Sequence, residues 1–177
     1  MAAGLMVERA SGHSYRQLVD ALGRQLGVRF AFGAPNQSDT LQPWGHTAEL
    51  VPEPPGDDRT LSWLESAGNI NASLRDHARF VQELLRGLKG DSPLLPAPEC
   101  EDLFFGSPRF ALGWWWEVDE MGRRHAWHRG NPGTFLSVVH VHADADRACI
   151  VFANVQSDEA AEGMRLVYER LNERYGR

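Results

Sequence analysis

The segment Trp127-His128-Arg129-Gly130-Asn131-Pro132-Gly133-Thr134-Phe135 gathers the chemistry-bearing residues of this 177-residue chain into one short stretch. The imidazole of His128 can donate, accept or carry a proton. Gly130 has no side chain, and a glycine turn follows it before the next apolar run. What the stretch lacks is an attacking group. A nucleophilic serine needs a base beside it. The chain has one lysine, Lys89, and the residue three before it is Arg86, so no Ser-x-x-Lys pair occurs in these 177 residues.

Other residues invite a metal reading. His125-x-x-His128 and His140-x-His142 bring four imidazoles into two neighbouring stretches. On regular strands His140 and His142 share a face, whereas His125 and His128, an odd number apart, point to opposite faces. No carboxylate completes the set at ligand spacing, so no metal is expected. Trp114 and Trp116 share a strand face and read as core, with Trp115 opposite. Asp57, Asp58, Asp144 and Asp146 read as solvated turn carboxylates. Cys100 and Cys149 match no redox or metal spacing and read as reduced thiols.

These residues must be positioned by regular elements. Residues 2–10 read as a helix stopped by Ser11-Gly12. A second helix is capped by Ser14, carries Tyr15, Leu18, Val19, Leu22 and Leu26 at helical spacing, and ends at Gly27. Residues 28–32 alternate as a short strand. From 33 to 60, prolines and glycines break every period, which leaves one long loop. Ser73 caps a helix to about Leu88, with Leu74, His77, Phe80, Val81, Leu84 and Leu85 on one face. Residues 98–105 read as another short helix. Four strands then follow, at 110–118, 124–128, 135–142 and 148–153, joined by hairpin turns. Residues 158–174 form a closing helix that turns Met164, Val167, Tyr168 and Leu171 inward.

The expected fold is therefore α+β. A mostly helical part spans 1–105, and an antiparallel meander with a covering helix spans 106–177, together in one compact unit. A hydrophobic fraction of 42% and a charged fraction of 24% are those of a globular protein with a real core. A net charge of -6 argues against nucleic acid. No apolar run approaches the ~20 residues of a membrane span. The first residues lack the basic start of a signal peptide, so the chain as it stands reads as cytoplasmic.

Several stretches, in order, resemble the serine β-lactamase-related family, which includes class C β-lactamases, D-Ala-D-Ala carboxypeptidases and related esterases. They are Gly4-Leu5-Met6-Val7-Glu8 with Ser11-Gly12-His13-Ser14-Tyr15, Pro43-Trp44-Gly45-His46, Ala67-Gly68-Asn69-Ile70 with Ser73-Leu74-Arg75-Asp76, Ala111-Leu112-Gly113-Trp114, His128-Arg129-Gly130, and Ile150 to Asn154. The collinear set is similar to the C-terminal half of such a hydrolase. It implies an incomplete fold of that type, whose Ser-x-x-Lys and Tyr-x-Asn elements both fall outside it. The implied chemistry is acyl transfer on a lactam, a D-Ala peptide or an ester, with no cofactor.

The resemblance assigns roles within that chemistry. His128 takes the place of the first residue of the family's His-x-Gly or Lys-Thr-Gly triplet. Gly130 lets the substrate main chain approach, and the Asn131 N–H is one of two oxyanion donors. Arg129 and Trp114 are the candidate substrate contacts. Asn131-Pro132-Gly133-Thr134 departs from the usual Gly-rich turn, and Arg129 is bulky for its position. The expected partners are a small acyl substrate or peptidoglycan-like peptide and the missing N-terminal half or a second copy. Without its nucleophile the chain is expected to be inactive alone. The other readings are a non-catalytic binding module or pseudoenzyme, and a zinc hydrolase of different ancestry.

Overall fold

The computed structural model describes residues 2–37, 39–54 and 65–176. Its first half is helical. Helix α1 (Ala2–Ser11) leads into α2 (Tyr15–Leu26). Ser14 accepts from the Gln17 N–H at 3.3 Å while the Gln17 side chain accepts from the Ser14 N–H at 2.8 Å, so two otherwise orphaned donors are satisfied. Gly27 ends the helix at φ 64°, a left-handed conformation that costs glycine little. The apolar stripe and both caps are local signals, and the sequence places this helix correctly.

A two-stranded sheet then forms from β1 (Phe30–Phe32) and β2 (Ile70–Ala72), paired antiparallel. The short helix α3 (Glu65–Gly68) precedes β2. Strand β2 was not expected, because three residues are too few to show an alternation. Helix α4 (Leu74–Leu88) follows, capped by Ser73, which accepts from the Asp76 N–H at 3.1 Å. Helix α5 (Ala97–Phe105) completes the helical layer.

The four expected strands are β3 (Trp115–Val118), β4 (Arg124–Gly130), β5 (Leu136–His142) and β6 (Arg147–Ala153), in the antiparallel order β3-β4-β5-β6. The first is shorter than its pattern suggested. Gly113 at φ 94° and Arg109 at φ 66° fold residues 109–114 back. Ala111 N–H then donates to the Trp114 carbonyl at 2.8 Å. Helix α6 (Asp158–Tyr175) covers the second face of the sheet.

The main core lies between the sheet and the helices α4 and α5. Val81, Leu85, Phe104, Trp114, Ala126, Val139 and Val141 form it. Phe104 is fully buried, with its ring 4.6 Å from Trp114. On α6, Met164 is buried as expected, but Val167 is 47% exposed. Met164 and Tyr168, one turn apart, take the seat against the sheet, and Val167 is rotated out of it.

The described residues between 34 and 54 have little regular structure beyond a 3-10 turn at Pro35–Gln37. They are nonetheless fixed in place. Asn36 and Thr134 are each 2% exposed. The Asn36 amide donates to the Glu53 carbonyl at 3.0 Å, and the Thr134 hydroxyl donates to the Glu53 carboxylate. The remainder of the expected 33–60 loop, with Asp57 and Asp58, lies outside the described residues.

Candidate functional site

Strand alternation decides what each residue near His128 faces. Ala126, His128 and Gly130 on β4, with Ser137, Val139 and Val141 on β5, fall on the face toward α4 and α5. His125, Trp127 and Arg129, with His140 and His142, fall on the face toward α6. The substrate candidate Arg129 therefore sits in register opposite to His128 and Gly130, and it is exposed. The other candidate, Trp114, is 8% exposed and belongs to the core, with its ring 5.9 Å from the His128 ring.

The open end of β4 is the main geometric feature. Strand β3 stops pairing at Trp115 opposite Trp127, while β5 continues to pair through Ser137 opposite Gly130. Among the described residues, 128–130 therefore have a strand on one side only. His128 is exposed at its outer side, its ring backs onto Trp114, and burial lowers its pKa below the ordinary value. Near neutral pH it is an imidazole that can donate or accept, not a cation.

His77 on α4, read from sequence only as part of a helical face, belongs to this region too. Burial lowers its pKa, and His128 adds to the effect. Its ring lies 5.6 Å from Phe152 on β6. Ser137 was also missed by sequence reasoning. A Cβ added to Gly130 would stand 2.5 Å from the Ser137 hydroxyl, so the glycine makes room for a neighbouring side chain. Knowing the β4–β5 register would have been enough to find it.

The turn beyond Gly130 is tightly held. The Asn131 side chain accepts from the Gly133 N–H at 2.9 Å. The loop Pro43-Trp44-Gly45-His46 presses against Thr134 and Phe135. A Cβ on Gly45 would meet Thr134 Oγ1 at 2.4 Å and Phe135 Cε2 at 2.6 Å. His46 N–H donates to the Thr134 carbonyl at 3.2 Å. Its Nδ1 lies 3.0 Å from the Asn154 carbonyl, and the Asn154 amide donates to the Trp44 carbonyl at 3.0 Å. Two of the segments that carried the family resemblance, residues 43–46 and 150–154, thus meet at one end of the sheet beside the turn that follows Gly130.

The opposite face holds a stack of aromatic and imidazole rings. The His140 and Tyr168 ring centroids are 3.7 Å apart, and His125 stacks on His140 at 5.1 Å and on His142 at 4.7 Å. His125 Nε2 and His140 Nδ1 are 2.9 Å apart, and the Tyr168 hydroxyl is 3.2 Å from His142 Nε2. Burial, reinforced by neighbouring charges, pushes the pKa of His140 down to about 3 and that of His142 to about 4. Among the described residues no group of three or more His, Cys, Asp or Glu is arranged to hold a metal ion. Cys100 and Cys149 are free and buried. A cavity of about 180 Å3 opens beside the stack, lined in part by His125, His142, Arg147 and Tyr168. It is on the far side of the sheet from His128.

No helix among the described residues is long and apolar enough to cross a membrane. The beta-lactamase family model matches residues 1–172. A beta-lactamase/D-alanine carboxypeptidase from Pseudomonas syringae superposes with a TM-score of 0.73 at 18% identity, covering 96% of this chain and 56% of that one. An octameric penicillin-binding protein homologue from Pyrococcus abyssi gives a TM-score of 0.66 at 18% identity, covering 86% of this chain and 36% of that one. The chain thus spans about a third to just over half the length of these two structures. No curated protein matches the sequence.

Proposed function

This chain belongs to the beta-lactamase family, and from that premise we propose that its β4 end forms one wall of an acyl-transfer cleft whose attacking serine lies outside these 177 residues. The observation that carries the reading is the one-sided strand at 128–130, beside which a substrate main chain can lie. In this reading His128 hydrogen-bonds the substrate, Gly130 keeps the strand edge clear, and the Asn131 N–H is one of two oxyanion donors. A missing oxyanion donor alone costs ~10²–10³ in turnover. Without a Ser-x-x-Lys pair there is no route to an acyl-enzyme. Arg129 reaches a ligand only around the strand edge, and Trp114 contributes by backing His128.

A second reading is a non-catalytic module that binds another chain. It is favoured by β6, a seven-residue strand with apolar residues from Cys149 to Phe152 that, among the described residues, has no strand on its outer side. One experiment separates the two. Purified protein is mixed with nitrocefin and with a p-nitrophenyl ester, alone and with a polypeptide carrying the family's Ser-x-x-Lys and Tyr-x-Asn segment. The mixtures are also followed by light scattering. The first reading expects no turnover alone and turnover with the added segment. Association without turnover supports the second. Turnover by the chain alone that survives serine-directed inhibitors contradicts both.

A further inference from the structure

The cavity beneath α6 lies on the side of the sheet that the proposed acyl-transfer wall leaves unused. At about 180 Å3 it has room for a few waters or one small polyatomic ion. Most charges around it are already engaged. Asp119 accepts from Arg123 Nε at 2.8 Å and from the main-chain N–H groups of Met121 and Arg123. Glu117 sits at the rim with its side chain 65% exposed, and its carboxylate is 3.7 Å from His125 Nδ1. Burial favours the neutral forms of His125 and His142.

Arg147 differs from these groups. One of its nitrogens, Nη2, donates to Asn172 Oδ1 at 2.8 Å. The other two, Nε and Nη1, are shielded from solvent and meet no acceptor among the described residues. A guanidinium held in this way is costly unless an anion or another acceptor completes it. A second feature lies beside it. A Cβ on Gly176 would stand 2.2 Å from the Asn172 carbonyl and 2.7 Å from Arg147 Nη1, so only a glycine lets the backbone pack this closely against the guanidinium.

We propose that this cavity binds a small oxyanion, a carboxylate or a phosphate, seated on Arg147 between β6 and the C-terminal end of α6. The site would set negative charge beside His142, where Arg147 now opposes protonation. The Glu117 carboxylate at the rim keeps the affinity modest.

The test is a titration with inorganic phosphate and, separately, acetate, against chloride at constant ionic strength. The His142 ring is followed by NMR, and the melting temperature is recorded alongside. The expected result is a saturable shift of the His142 signals, a rise in the pH at which that ring titrates, and a higher Tm. Arg147→Gln should weaken binding by about tenfold or more, while Arg170→Gln on the exposed side of α6 should leave it unchanged. A response to phosphate alone points to a phosphate-bearing ligand, and a response to both anions to oxyanions in general. Wild-type signals that answer neither anion beyond the chloride control overturn the proposal, and this arm decides the matter even if Arg147→Gln does not fold. A response that Arg147→Gln retains in full overturns it too.

Discussion

The two faces of the four-stranded sheet are drawn from the same strands yet treat histidine in opposite ways. The face toward α4 and α5 carries Ala126, Val139 and Val141, none more than 2% exposed, and admits His128 only at its open end. The face toward α6 stacks His125, His140 and His142 against Tyr168. His125 and His128 are three residues apart and never meet, because an odd spacing on a strand separates faces. Parity, not nearness in sequence, assigned one imidazole to the candidate cleft and three to the packing of a helix. The first face is held by close packing of carbon. The second is held partly by rings that must stay uncharged, so protons can weaken it.

The largest effect should come from the apolar face. Phe104→Ala removes a fully buried ring packed on Trp114, and a loss of about 3–5 kcal/mol is expected in urea unfolding. A loss below about 1 kcal/mol would mean that this face is no better packed than the other.

Acid should act through the second face. The pKa of His140 is held at about 3 and that of His142 at about 4, both below the ordinary 6.5. As pH falls through 6.5 the unfolded chain takes up protons that the folded chain refuses, so stability drops with pH. The decline continues until about pH 4 and then about pH 3, where the folded rings protonate as well. Allowing for partial exposure, the two rings together should remove about 2–4 kcal/mol by about pH 5. His140→Phe should flatten that profile in chemical unfolding at several pH values. An unchanged slope in the variant would break the contrast between the faces.

The smallest effect sharpens the contrast at the open end of the first face. Gly130→Ala drives a Cβ toward the Ser137 hydroxyl, and that side chain can turn aside, so about 1 kcal/mol is expected. Ser137→Ala in the same protein should restore most of the loss. Failure of that rescue in thermal unfolding would show that Ser137 is not what makes glycine necessary here.

How far the sequence could be read depended on the range over which each signal acts. Helices α2 and α4 announced themselves because stripe and cap lie within one stretch, as at Ser14 with Gln17. Strands β4, β5 and β6 were legible because each runs for seven residues between turn signals, and β5 and β6 are rich in valine, isoleucine and phenylalanine. Strand β3 was overread because nothing local reveals that Gly113 turns the chain back. His128 and Gly130 stood out through family resemblance. Ser137 and His77 did not, since their relevance exists only once register and helix docking are set. The Arg147 cavity needs the placement of α6 and was invisible for the same reason.

The clasp made by the 34–54 loop has a consequence for how the molecule assembles. Its anchors are far from it along the chain: Glu53 joins Thr134 across 81 positions, His46 reaches Asn154 across 108, and Asn154 reaches back to Trp44 across 110. None of these links can close until the meander exists to receive them, and closing so long a span is entropically slow. The clasp is therefore expected to close after the meander, leaving the end of the sheet that carries His128 to take its final shape at that step.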